Sequence, residues 1–296
     1  MTEYRYPDAI VSTDWLADRL DDPELRIYES TVFLHHVEEG PDAPYRVESG
    51  RARYEAAHIP GAGFLDIAND LSDPAAPTHF MMPSATRFAE VVGRAGLGDD
   101  ARVIVYSRGN KQWSTRLWWM LRAMGFDNAA VLNGGWEKWT AEGRPTSGVP
   151  PAYPPATFTP HPRPELFVDK EAVAAAMDDP GICTINALLP ELHRGESKRY
   201  GRPGHIPGSV NLPCGTLLDP ETNVFLPPDA VQARLDAVGA TPGKRSIVYC
   251  GGGIAATLDA FLMHQLGYEG ISVYDASMSE WAKDESLPIE AGRRKA

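Results

Sequence analysis

A chain of 296 residues is too long for one small core and comfortable for two domains. Its 43% hydrophobic content supports a real core, while a formal charge of −12 argues against nonspecific binding to nucleic acid or anionic membranes, which needs a basic face. No apolar run is long enough to span a membrane, and the N-terminus lacks the pattern of a signal peptide. Three cysteines without CxxC spacing read as reduced thiols in a cytoplasm rather than as disulfides or a zinc site.

In chain order the sequence is written twice. "AHIPGAGFLDI" (57–67) recurs as "GHIPGSVNLPC" (204–214), and the strand-like "RVIVYS" (102–107) as "SIVYC" (246–250). "LRAMGFDNAAVLNGGWEKW" (121–139) recurs as "MHQLGYEGISVYDASMSEW" (263–281). The offset is 147 at the first pair, 143 at Ser107 and Cys250, and 142 at Trp139 and Trp281. A near-constant offset marks a duplicated domain, with one extra residue after the strand in the first copy. Between the copies lies "SGVPPAYPPATFTPHPRPEL" (147–166), whose seven prolines predict a semi-extended linker. The predicted division is therefore a domain over 1–146, a linker over 147–166 and a second domain over 167–296.

The second half alternates helix and strand signals. "EAVAAAMDDP", "DAVQARLDAVG" and "TLDAFLMHQLG" read as helices, the last with Leu258, Phe261, Leu262 and Leu266 on one face. "GICTIN", "SIVYC" and "ISVYD" read as short strands, apolar throughout, as in a parallel sheet covered on both faces. The predicted fold class is α/β, with two tandem domains, each a parallel sheet flanked by helices. In such sheets the site lies at the C-terminal strand ends, where Cys250 is predicted to sit.

Cys250 is followed by Gly251, Gly252, Gly253, Ile254 and Ala255, then by a helix opening near Ala256. Glycines permit tightly curved or left-handed backbone, and such a loop can turn several N–H groups inward as an anion nest. The helix dipole adds to that field. Together these features are expected to favour a thiolate, a nucleophile able to accept a sulfur atom and hand it on.

The repeated "HIPG", the cysteine loop after a strand, "WWMLRAMGF", "VLNGGWEKW" and "EGRP" together resemble the tandem-domain rhodanese family over nearly the whole chain. The resemblance implies a sulfurtransferase acting on thiosulfate or 3-mercaptopyruvate, with an inactive first domain. It also implies a persulfide on Cys250 within the loop Gly251 to Ala255. The implied partners are a small sulfur-donor anion and a cyanide or thiol acceptor, with no metal and no organic cofactor. Ser107, in "YSRGNKQW", holds the cysteine's place in the first copy. The family's D-x-R-x-x-x-R segment is altered. Asn186 stands for the acid, and Leu188 and Leu192 for the arginines, the second of which grips the substrate in the family. Arg194, Arg199 and Arg202 are the nearby cations expected to contribute substrate contacts. The reading leans to thiosulfate as donor, with 3-mercaptopyruvate as the alternative.

Other residues receive plainer readings. Cys183 and Cys214 are expected in the core, with a small share left to a redox role for Cys214. His58 and His205 occur in both copies and are assigned to the shared turn. Trp113, Trp118 and Trp119 are assigned to core and interdomain packing, and Asp275, opposite Asn133 in the first copy, to a turn or cap. A cysteine phosphatase would need the pattern Cys-x5-Arg, and Ala256 stands at the arginine position. A noncatalytic binding module remains the other alternative.

Overall fold

Strands that are apolar at nearly every position need cover on both faces, and the chain supplies it twice. The computed structural model describes residues 3–38, 44–109 and 111–292. Its strands in chain order are β1 (Ile10–Val11), β2 (Leu25–Glu29), β3 (Val32–His36), β4 (Tyr45–Ser49), β5 (Ala62–Phe64) and β6 (Arg102–Tyr106). They continue with β7 (Ala129–Leu132), β8 (Phe167–Val168), β9 (Ile182–Asn186), β10 (Val210–Asn211), β11 (Arg245–Tyr249) and β12 (Ile271–Tyr274). One parallel sheet runs β5-β2-β6-β7-β1 and the other β10-β9-β11-β12-β8, the same order element by element. The antiparallel hairpin β3–β4 belongs to the first half alone among the described residues.

In the second sheet, β9 leads outward to β10, whereas β11 lies on its other side. That reversal opens a crevice at the C-terminal ends of β9 and β11, the usual place for a ligand in such folds. Tyr249 and Asn186 are register partners there, and Cys250 follows directly.

The predicted helices form as Lys170–Ala176, Pro228–Ala237 and Ala256–Gln265. The last packs against its counterpart Gln112–Ala123 across the domain boundary. The Thr115 and Thr257 hydroxyls meet at 3.0 Å, and Trp118 meets Phe261 edge to face at 4.8 Å. Each residue of the Thr pair is the other's repeat equivalent, so the domains face one another around a local pseudo-twofold. Trp113, Trp118 and Trp119 are buried, as their packing assignment requires.

The proline-rich segment has no strand or helix before the 3₁₀ turn Pro164–Leu166, yet it is tied to the first domain. Ala156 N–H donates to the Gly93 carbonyl at 2.9 Å, and the Tyr153 hydroxyl to that of Gly61 at 2.6 Å. The two "HIPG" turns are held alike. The Ile59 and Ile206 amides donate to the Tyr106 and Tyr249 hydroxyls at 3.2 and 3.1 Å. His58 bonds the Tyr54 and Val149 carbonyls, and His205 the His193 carbonyl, so both histidines serve the turns.

Candidate active site

Cys250 sits at the tip of β11, only 2% exposed. Its loop is fastened from below by Ser277. The Cys250 and Gly253 amides both donate to Ser277 Oγ, at 3.0 and 3.1 Å, and the Ser277 hydroxyl donates to the Tyr274 carbonyl at 2.7 Å. Met278 and Ser279 amides donate to the Cys250 and Gly251 carbonyls at 3.1 and 2.8 Å. The Gly251, Gly252, Ile254 and Ala255 amides have no protein acceptor among the described residues. The expected nest is thus smaller than the loop, because two of its amides are held by a serine.

Ser277 adopts φ +51, in the left-handed region, where the first copy has Gly135 at φ +59. A non-glycine residue there costs about 1–2 kcal/mol. The cost places a hydroxyl under the cysteine loop, and the Gly-to-Ser difference between "NGGW" and "DASM" is its sequence signal.

The three glycines have different reasons, which corrects the expectation that all serve curvature. Only Gly253 is left-handed, at φ +72, and a Cβ there would lie 2.4 Å from the Asp275 carbonyl oxygen. A Cβ on Gly251 would lie 2.1 Å from the Tyr200 hydroxyl, and one on Gly252 3.2 Å from that of Tyr45. Those two glycines make room for phenols, one from each domain.

Asp275 is not a local cap. Its Oδ1 accepts from Arg116 Nη1 at 2.6 Å, and its Oδ2 from the Met82 amide at 2.7 Å; both donors belong to the first domain. Arg116 is fully buried and also donates to the Gly253 carbonyl at 3.1 Å and to the Phe80 carbonyl. A cation from the first domain therefore touches the backbone of the cysteine loop. The symmetric position is weaker: Asn133 Oδ1 accepts from the Phe225 amide at 2.9 Å and from Lys111 at 3.3 Å.

The equivalent loop of the first copy is filled with side chains. Arg108 grips the fully buried Glu29 through two bonds of 2.7 and 3.0 Å and lies over Trp136. Lys111 is 2% exposed, and burial pulls its pKa down to about 7 although Glu137 opposes the shift. Ser107 is buried beside this filled loop; Asn110 lies outside the described residues.

The comparisons with known proteins agree with this geometry. The model for the rhodanese-like domain matches residues 12–142 and 193–284. The chain belongs to the rhodanese-like domain family. It is 30% identical over 306 residues to a "Thiosulfate sulfurtransferase" of Corynebacterium glutamicum, covering 98% of this chain and 93% of that one. It is equally, 30%, identical over 288 residues to the "3-mercaptopyruvate sulfurtransferase" of Escherichia coli K12, covering 95% and 97%. The crystal structure of the 3-mercaptopyruvate enzyme SseA from Escherichia coli superposes with a TM-score of 0.79 at 29% identity, covering 91% of this chain and 98% of that one. The family relationship makes this chain a sulfurtransferase with two tandem rhodanese-like domains.

Within the rhodanese-like frame the three candidate arginines separate. Arg194 forms a two-pronged pair with Glu196 at the surface. Arg202 donates to the carbonyls of Trp281, Ala282, Asp284 and Leu287, and so staples the C-terminal segment. Both are thereby engaged away from the cysteine loop. Arg199 has no ion pair among the described residues, and its buried Nε has no hydrogen-bond partner there. It lies beside Tyr200, the residue over Gly251. Leu192 is buried and Leu188 packs against the core, so neither rhodanese arginine position offers charge. Asn186 is closed onto its own turn, bonding the Leu188 amide and His193.

Cys214 packs against the core, and burial pushes its thiol up. Its Sγ lies 4.0 Å from Gln112 Oε1 of the first domain, and its amide donates to the Ala187 carbonyl at 3.1 Å. Sequence reasoning missed Tyr45, Tyr200, Ser277 and Arg116.

Proposed function

We propose that this chain moves a sulfane sulfur from thiosulfate to cyanide or a thiol through a persulfide on Cys250. The Cys250 thiolate attacks the outer sulfur of thiosulfate, and the new S–S bond forms as the old one breaks. Its electron pair leaves with sulfite, and the persulfide keeps one negative charge. The acceptor then removes the outer sulfur and restores the thiolate. Each half-reaction is a displacement at sulfur, so the residues of this chain are sufficient for it.

The observation that carries this reading is the cysteine at a strand end beside four unclaimed amides, followed by the N-terminus of a ten-residue helix. Arg199 is the proposed contact for the donor's oxyanions, since among the described residues it alone of the three candidates has no carboxylate or carbonyl partner for its side chain. Thiosulfate is preferred because a compact dianion suits amides and a single cation. A keto acid calls for a planar two-pronged grip, and Leu188 and Leu192 stand where arginines would make it. Three thiols and no disulfide suit a reducing cytoplasm.

The test is intact-mass analysis after exposure to thiosulfate, and separately to 3-mercaptopyruvate. Thiosulfate should add the mass of one sulfur to the wild type and none to Cys250→Ser. Loading by mercaptopyruvate alone would transfer the assignment to that donor. Loading by neither would favour the binding module.

A further inference from the structure

Tyr200 is the least expected group in the site. It comes from the irregular segment before "GHIPG", and its ring is packed on the bare backbone of Gly251. Its hydroxyl would collide with any side chain at that position, so the loop has exchanged its own side chain for one from elsewhere. Burial holds the phenol above its ordinary pKa, and the charges of Tyr45 and Cys250 push the same way. The hydroxyl is therefore always protonated and always able to donate.

Its neighbour is Arg199, whose positive charge acts on the phenol and which has no acceptor atom of its own. Tyr45 stands on the other side, its hydroxyl over Gly252 and beside Ser279, and the Cys250 charge acts on it too. The two phenols, one from each domain, thus lie against the two glycines that directly follow Cys250.

We propose that the Tyr200 hydroxyl, polarised by Arg199, is a catalytic hydrogen-bond donor to the sulfur anion on Cys250, doing what a polar loop side chain would otherwise do. This rests on the persulfide reading above. No proton is transferred: the O–H donates to the thiolate before attack and to the terminal persulfide sulfur afterwards, where the negative charge ends. A hydrogen bond to a charged group in a water-poor site weighs roughly tenfold to a hundredfold in rate.

The experiment follows sulfur loading of Cys250 by intact mass at saturating thiosulfate, in wild type and Tyr200→Phe. Phe keeps the ring on Gly251 and removes only the donor. Loading should slow tenfold to a hundredfold in Tyr200→Phe while the KM for thiosulfate changes less than threefold. Loading within twofold of wild type overturns the proposal. If Tyr200→Phe does not fold, 3-fluorotyrosine at position 200, a stronger donor of the same shape, replaces it; faster loading supports the proposal and an unchanged rate overturns it. A wild type that never loads overturns the persulfide reading, and this one with it. The two failures are distinct, because only the failure of the Tyr200 proposal leaves the wild type active.

Discussion

The Arg116–Asp275 pair makes a sharp quantitative claim. Both groups are buried, with side-chain exposures of 0% and 7%, and they meet at 2.6 Å across the domain interface. Removing one partner leaves the other charge without compensation in a site with little water, which costs about 3–5 kcal/mol. Arg116→Met strands the Asp275 carboxylate with only the Met82 amide, and Asp275→Asn strands the guanidinium between two carbonyls. In the double variant neither charge remains, and the carboxamide introduced at position 275 can still accept from Met82, as Asn133 accepts from Phe225 in the first copy. The double loss should therefore be smaller than the sum of the singles by about 2–3 kcal/mol. Urea melts of the four proteins close the cycle. Singles that each cost under about 1 kcal/mol, or losses that simply add, would refute the claim that this pair couples the domains.

The candidate cations are separated by single alanine variants: Arg199→Ala should raise the thiosulfate KM about tenfold, Arg194→Ala should leave it within twofold, and Arg202→Ala should lower the melting temperature instead. Equal KM values in all three would exclude Arg199 as the anion contact. Ser277→Ala should destabilise by about 2–4 kcal/mol, because two buried amides lose their acceptor. Ser277→Gly should be the milder change by about 1 kcal/mol, since glycine tolerates the left-handed backbone; thermal melts in which alanine is harmless would contradict this. Lys111 predicts a pH dependence. Its folded pKa is near 7 and its unfolded one near the ordinary lysine value, so between pH 7 and 10 the unfolded chain binds more protons and stability rises with pH. Lys111→Met should be more stable than wild type at pH 7, by on the order of 2–4 kcal/mol, and should show a flatter rise to pH 9.5 in chemical denaturation; an unchanged slope would exclude Lys111 as its source.

The duplicated architecture was legible because repetition is a long-range signal carried in sequence itself. The strand Arg245–Tyr249 and the helix Ala256–Gln265 lie where apolar runs and helical spacing put them. The hairpin β3–β4 has no second copy to be compared with, and so Tyr45 had no signal at all. Gly251 and Gly252 show the limit clearly. A glycine run states that side chains are absent but not what occupies their space, and here two distant phenols do. Asp275 fails for a related reason: its partner is 159 residues away, whereas turn statistics consider only neighbours. Arg194, Arg199 and Arg202 were indistinguishable as sequence, because a cation's role depends on which acceptors fold around it.

The two halves differ by a relocation of charge. In the first copy the loop carries Arg108 and Lys111 itself, and Glu29 and Asn133 stand ready to receive them. In the second copy the loop is reduced to Gly251, Gly252 and Gly253, the acid at the end of the neighbouring strand has become Asn186, and the cation on the loop backbone arrives from the other domain as Arg116. A cation attached elsewhere can support the loop without standing in it. The same logic extends to the mouth, where Tyr200 takes the place of a loop side chain and Arg199 stands behind it. In physical terms the first domain is part of the site, since removing it would take away Arg116, the Met82 amide and the Tyr45 phenol together. That dependence gives a reason to retain a copy that lacks its own cysteine.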